Sequence, residues 1–598
     1  MLFVQKNTPS KEQAVTETFY GYDHNLQIAD GAFYDLENLT GDYFPMLAPR
    51  ARRSVLKDLG EGALLGWTVR DGVLWYVWQA EGSLLPGLYC GGVLQELPQG
   101  VTLTAGEKQL VSMGAYLCIF PDGIYYNTLK PTDAGYMARK NTVTPTSAAK
   151  LTISLCTLDG AGITASATDT EPTDRTNGMY WVDTGSEPHA LKQWSASSAQ
   201  WVQVATTYVK LSLGGIGVGM KQYDGIILSG ITGTEQAQAL NGSHVLYGAA
   251  DDYIIITGIL DTTAEQTSGQ IVTNRRLPEL DYVTECGNRL WGCFYGVGQD
   301  GDMLNEIYCC KLGDFRNWEC YMGISTDSYR ASVGTDGKWT GAATYNDSPM
   351  FFKEDFIHRV YPSSKGAHQV VQLTCEGVQD GSAKSLCVVD NVLYYKSRLG
   401  VYRYDGGAPS RISDALGGIL YKNAMAATAR GKYYIAMSAP DGAQRLFVYD
   451  TMRGLWHAES GAEALTALTS GRDTLYAAKT ASGHVTVLDL VGQEGTLEAP
   501  VSWWAETGIM TYGLVGKKYI SRLNLRMQLP RGSRCDFWVQ YDSDKQWRHC
   551  GHMEGKGIRS FLLPIRPRRC DHLQFKISGT GDFRLLSLSR VLEAGSDV

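Results

Sequence analysis

Long apolar runs are missing from this 598-residue chain. The longest stretches, such as YIIITGIL at 253–260, fall far short of the roughly 20 residues a membrane-crossing helix needs. The opening MLFVQKNTPSKEQ lacks a basic segment followed by an apolar one, so no signal peptide is expected. Proline is scarce, at 19 residues, and few segments keep a helical period. The 13 cysteines include no C-x-x-C pair, which points to reduced, mostly buried thiols. No P-loop, G-x-S-x-G or H-E-x-x-H stands in the sequence. With a net charge of -8 and a pI of about 5.8, the chain also lacks the basic footprint of a general nucleic-acid binder. The charge is uneven: residues 498–598 hold 16 Lys and Arg against 10 Asp and Glu, so the acidity lies in the rest of the chain.

Aromatic residues are abundant, at 11%, with 34 Tyr and 14 Trp, and there are 67 Gly. Aromatics suit a pleated surface and glycine suits tight turns, so the expected class is all-β. GWTVRDGVLWYVWQ places Asp71-Gly72 between alternating aromatic runs, and YLCIFPDGIYYNTL repeats the device with Pro121-Asp122-Gly123. Further on, strand ends recur at Tyr404-Asp405, Tyr449-Asp450 and Leu488-Asp489, spaced 45 and 39 residues apart. A unit of this length with several strands predicts a β-propeller of about six to eight blades. The expected organisation is an extended N-terminal docking arm (1–53), first blades (54–143), inserted small β modules (144–275), remaining blades (276–495) and a C-terminal β-sandwich (496–598). A short helix is expected at 234–240.

CCKLGDFRNWEC, residues 309–320, gathers three cysteines around a Gly-Asp turn. A zinc site needs four convergent ligands, usually spaced as pairs. Cys309 and Cys310 are adjacent, and neighbours on a strand point to opposite faces, so they do not share an ion. The stretch reads instead as two strands, EIYCCKL and WECYMG, joined at Gly313-Asp314. RHCGH at 548–552, with Cys535, Cys570 and His572, fits no zinc spacing either. SVGTDGKWTG roughly matches one Asp-box, the turn of sialidase-like propellers, through Ser332, Asp336, Gly337 and Trp339. A single copy marks a turn rather than a reaction. No metal, cofactor or catalytic residue is expected.

NRLWGC, IYCCKLGDFRNW and STDSYRASVGTDGKWTGAATYNDSPMFFKED together resemble a structural protein of bacteriophages. Asn288, Arg289, Trp291, Gly313, Asp314, Asn317 and Trp318 carry the resemblance. It is to the β-propeller nozzle proteins of short-tailed phages, and it implies a virion tail component made in the bacterial host cytoplasm. Such a protein is a structural protein and not an enzyme. It assembles with itself into a ring, expected to be six-fold, against a portal adaptor or other tail proteins. DNA passes its channel during ejection without specific binding, and an acidic wall would avoid capturing the phosphate backbone. Docking is expected from Arg50, Arg52 and Arg53 in the arm and from Arg566, Arg568 and Arg569 in the basic end. Two alternatives stand beside this reading. One is a tail-tip protein binding host-surface glycan, with Trp181, Trp194 and Trp201 as stacking platforms. The other is a propeller glycosidase.

Overall fold

A computed structural model describes residues 11–492, 495–511, 516–565 and 568–594. The chain is all-β: a β-propeller with an inserted β region and a terminal β-sandwich. Among the described residues the one α-helix is the single turn Glu235–Gln238, whose first turn is capped by the Thr234 side chain.

Among the described residues, seven four-stranded antiparallel blades surround one axis. Their innermost strands are the second half of Ser54–Arg70, then Gln109–Met113, Tyr282–Glu285, Gly341–Tyr345, Cys387–Val389, Lys422–Ala429 and Leu465–Ser470. These strands neighbour one another around the ring, with the 3-10 turn Ala383–Ser385 filling the step between blades 4 and 5. Blade 7 has three strands of its own. The first half of Ser54–Arg70 supplies the fourth, paired from Asp489↔Ser54 to His484↔Glu61. One strand therefore finishes the last blade and begins the first.

Side-chain alternation explains why the ring packs. Leu290 and Cys310 join Phe120 and Trp318 in the core between blades 2 and 3. Their neighbours Trp291 and Cys309 join Trp339 and Phe351 in the core between blades 3 and 4. Each blade is thus apolar on both faces, and each large side chain fully buried there contributes about 1.5–3 kcal/mol. The strand-end aspartates have a local task. The Asp450 carboxylate accepts the N–H groups of Met452 and Arg453, both at 3.1 Å, and that of Asp489 accepts Leu475 and Val491.

WECYMG, expected as a strand, is irregular; the outer strand of blade 3 is Tyr329–Ser332. Side chains have taken the backbone donors that a ladder would use. The Asp327 carboxylate accepts the N–H groups of Met322, Gly323 and Ile324, and Ser328 Oγ accepts that of Cys320. Arg139–Val143, expected with the first blades, pairs with Ile271–Arg275 and belongs to the inserted region. That region has its own core, centred on Ile153, Val209, Ile226 and Ile254.

Residues 11–49 do not form an extended docking arm. Lys11–Thr16 pairs with Arg584–Ala594 in one sheet of the terminal sandwich, and Ala32–Glu37 pairs with Ser502–Thr507 in the other. Phe19, Phe33, Leu36 and Leu47 are buried in the same core as Trp503, Phe583 and Leu588. Burying these apolar side chains is worth more than leaving them on a free arm. The same core continues into blades 5 and 6 through Tyr394, Phe447 and Trp456.

Two histidines are buried to 1% or less, His358 in blade 4 and His457 in blade 6. Burial pushes each down to about 4, with nearby lysines, Lys353 and Lys432, adding to the shift. Between pH 6.5 and 4 the unfolded chain binds protons that the native chain refuses, so stability falls as pH falls. At pH 5 the loss is up to about 2 kcal/mol per histidine. Urea unfolding at pH 7 and pH 5 should show a lower midpoint at pH 5, and His457→Gln should narrow the difference between the two.

Candidate functional site

The axis of the ring holds a cavity of about 980 Å³ lined from all seven blades. Its walls are aromatic at Trp67, Tyr282, Tyr295 and Trp339. Its charged groups, Glu107, Lys108, Asp281, Lys338, Asp380 and Lys384, all sit on the loops that lead into innermost strands, and Lys108 among them is buried against Asp122. Those loops share one end of the ring, so the charges gather at one mouth. Lys338 reaches Asp380 at 2.8 Å between blades 4 and 5. Lys384 reaches Glu107 at 3.0 Å, joining the lead-in to blade 5 to the lead-in to blade 2. Both pairs are exposed, so each adds at most about 1 kcal/mol and yields readily to a ligand.

Local packing fixes the walls. The Trp339 indole N–H donates to Phe294 O at 3.1 Å, and the Tyr295 N–H donates to the Asp281 carboxylate at 2.9 Å. Lys353 is buried with its ammonium 4.6 Å from the Trp339 ring and 5.4 Å from that of Tyr295. It donates to Asn305 Oδ1 at 3.0 Å and Thr335 O at 2.6 Å, and burial pushes it down to about 8.

Electrostatics single out Asp281. Its carboxyl keeps contact with the cavity solvent while protein on its other sides raises it above the usual carboxylate range, and Glu279 adds to the shift. The adjacent Tyr282 phenol is pushed up to about 12, first by burial, then by Cys293, with Asp281, Asp380 and Glu107 adding to the shift. Among the described residues no group of three or more His, Cys, Asp or Glu is arranged to hold a metal ion.

The residues singled out in the sequence lie elsewhere, apart from Trp339. Arg50 and Arg53 are not free for docking, because both are buried and paired internally. Arg53 reaches Glu459 at 2.8 Å, and Arg50 reaches Asn38 and Glu498. Arg52 is exposed and donates to Glu498 O. Arg566 lies outside the described residues. Arg568 and Arg569 are exposed, the former 5.6 Å over the Tyr541 ring. Trp181, Trp194 and Trp201 do not form a platform. Trp194 pairs with Trp201 across two strands, and the rings of Trp181 and Trp194 pack edge-on to that of Trp201 at 5.4 and 5.5 Å. Trp181 and Trp194 are buried as a result.

The motif residues hold blade 3 to the inserted region. Asn317 Nδ2 donates to Tyr223 O at 2.7 Å while its Oδ1 accepts the Gly225 N–H, and Asp314 pairs with Lys221 at 2.6 Å. Gly313 N–H donates to Asn288 O. Buried Arg289 donates to the carbonyls of Cys310, Ser325 and Asp327. Trp291 and Trp318 fill the two neighbouring cores.

No family model and no curated protein matches the chain. Solved structures similar to it include a glycoside hydrolase, at 11% identity and a TM-score of 0.21 over 51% of this chain and 96% of that one. An exo-β-1,3-galactanase from Phanerochaete chrysosporium is 8% identical, with a TM-score of 0.20 over 52% of this chain and 94% of that one. A sialidase from Trypanosoma rangeli is 9% identical, with a TM-score of 0.22 over 97% and 95%. Glycosidases thus appear where a tail nozzle was expected. The expectations of a virion tail scaffold and of a non-enzyme are corrected on this finding. TM-scores near 0.2 transfer no residue, substrate or reaction to this chain, whose own geometry has to carry any functional reading.

The internal pairing of the arm arginines has a measurable consequence. Glu459→Gln should cost about 3–5 kcal/mol, because it leaves a buried cation short of its partner. Arg52→Ala, on the surface, should stay within about 0.5 kcal/mol. Urea midpoints of the two variants check the contrast.

Proposed function

We propose that this protein acts on glycans at its axial cavity. The carrying observation is an axial cavity walled by Trp67, Tyr282 and Tyr295, with the carboxyl groups of Asp281, Asp380 and Glu107 at one mouth; burial also raises Asp281. Sugar rings stack their C–H faces on aromatic side chains and offer hydroxyls to carboxylates. Trp67, half-buried on blade 1, supplies such a face, and Trp339 behind the wall is part of the core between blades 3 and 4.

Glycoside hydrolysis uses two carboxyl groups in different protonation states. Asp281, raised by its surroundings, is suited to give a proton to the leaving glycosidic oxygen. Asp380, on the loop that leads into blade 5 at the same mouth, serves as the second carboxylate, released from Lys338 as substrate displaces that exposed pair.

A panel of nitrophenyl glycosides and cell-surface polysaccharides, read by reducing-sugar release, tests this. Asp281→Asn should lower turnover by about 10²–10⁴-fold with binding kept. Trp67→Ala should weaken binding. The rate should fall as pH rises through the Asp281 titration, since the protonated form is the active one. Absence of glycan binding, or turnover unchanged in Asp281→Asn, would refute the proposal.

A further inference from the structure

A second constellation lies in the terminal sandwich, away from the axial cavity. The turn after strand Arg534–Tyr541 sets Ser543 Oγ 2.7 Å from His572 Nε2. The other ring nitrogen, Nδ1, lies 3.0 Å from Asp571 Oδ2. With the ring proton on Nδ1, the imidazole donates to the carboxylate and accepts the seryl hydroxyl. That is the relation of nucleophile, base and orienting acid in a serine hydrolase, which is recognised by geometry and not by chain order.

The backbone holds both halves in register independently of these bonds. The Asp542 N–H donates to His572 O at 3.0 Å, and the Asp542 carboxylate accepts the N–H groups of Asp571 and His572 at 2.7 and 3.3 Å. Ser543 has φ 50°, in the left-handed region that non-glycine residues rarely occupy. Arg548 and Arg568 converge on the same turn, 2.6 and 3.9 Å from Asp544 Oδ2.

We propose that Ser543 and His572, positioned by Asp571, form a second site that cleaves short carboxylic esters carried on larger molecules. Ser543 is exposed on an open turn, which suits a small acyl group presented by a bulky carrier. In the first step Ser543 Oγ bonds to the acyl carbon while His572 Nε2 takes its proton. The carbon–oxygen bond to the alcohol breaks, and the alcohol leaves with that proton. Water then attacks the acyl-serine, gives its proton to His572, and releases the carboxylic acid as Ser543 recovers its hydrogen.

A fluorophosphonate probe on the full chain, with peptide mass spectrometry, tests the site. The serine oxygen replaces fluoride on phosphorus, so a stable adduct should appear on the peptide carrying Ser543. Ser543→Gly, which tolerates the φ of this turn, and His572→Gln should abolish the adduct and reduce p-nitrophenyl acetate hydrolysis at least tenfold. Asp571→Asn should slow adduct formation at least tenfold with an unchanged melting temperature, and Asp571→Glu should restore part of the rate. Absence of an adduct on Ser543, or an adduct indifferent to His572→Gln in a folded variant, would overturn the proposal.

Discussion

Everything in the propeller depends on one strand serving two blades. Ser54–Arg70 completes blade 7 with its first half and begins blade 1 with its second. The change of partner falls at Gly62, where a Cβ would lie 2.3 Å from Gln79 O. No side chain fits there without moving backbone. The wedge that this closure joins has the smallest buried set of the ring, chiefly Tyr76, Trp78, Ala478 and Val485. The hydrogen-bond ladder therefore contributes what apolar area does not. Closing the ring by a strand from the far end of the sequence also fixes where the amino-terminal segment goes next. The residues before Ser54 lie against blade 6 and finish the sandwich. Arg53 pairs there with Glu459 at the end of the last strand of blade 6.

The closed ring creates the cavity. Each lead-in loop brings a few side chains to one mouth, so a site is assembled from residues spread between Leu64 and Ser470. No motif scan along the chain would gather them. Asp281 and Asp380 lie far apart in sequence, yet both raise the Tyr282 phenol. The aromatic wall is stiffened from behind by a buried lysine, which costs desolvation but fixes Trp339 and Tyr295 in place.

The fold is largely legible in the sequence because it is periodic. Turn signals such as Asp71-Gly72 and the Tyr-Asp strand ends report local hydrogen bonding, which sequence encodes directly. Adjacent Cys309 and Cys310 read as opposite faces of one strand, and they do fall in different cores. The site is not legible, because lead-in loops carry no shared pattern. Trp339 is visible only as part of a turn. The amino-terminal segment misleads because Pro45 and Pro49 suggest an extended arm, whereas the burial of Phe19, Phe33 and Leu47 depends on partners near the other end of the chain. Arg50 and Arg53 resemble surface charge for the same reason: Glu459 and Glu498 are invisible from their local context. Spacing alone offers His572 only as a zinc ligand, since its contact with Ser543 joins segments that are distant in sequence.

The sharpest test of a glycan site at the axis is a structure of the protein soaked with an oligosaccharide it binds. Sugar should occupy the axial cavity, with a ring face on Trp67 and a glycosidic oxygen within hydrogen-bond reach of Asp281. Sugar bound elsewhere with the axial cavity empty, for instance against the Trp181–Trp201 sheet, would contradict it.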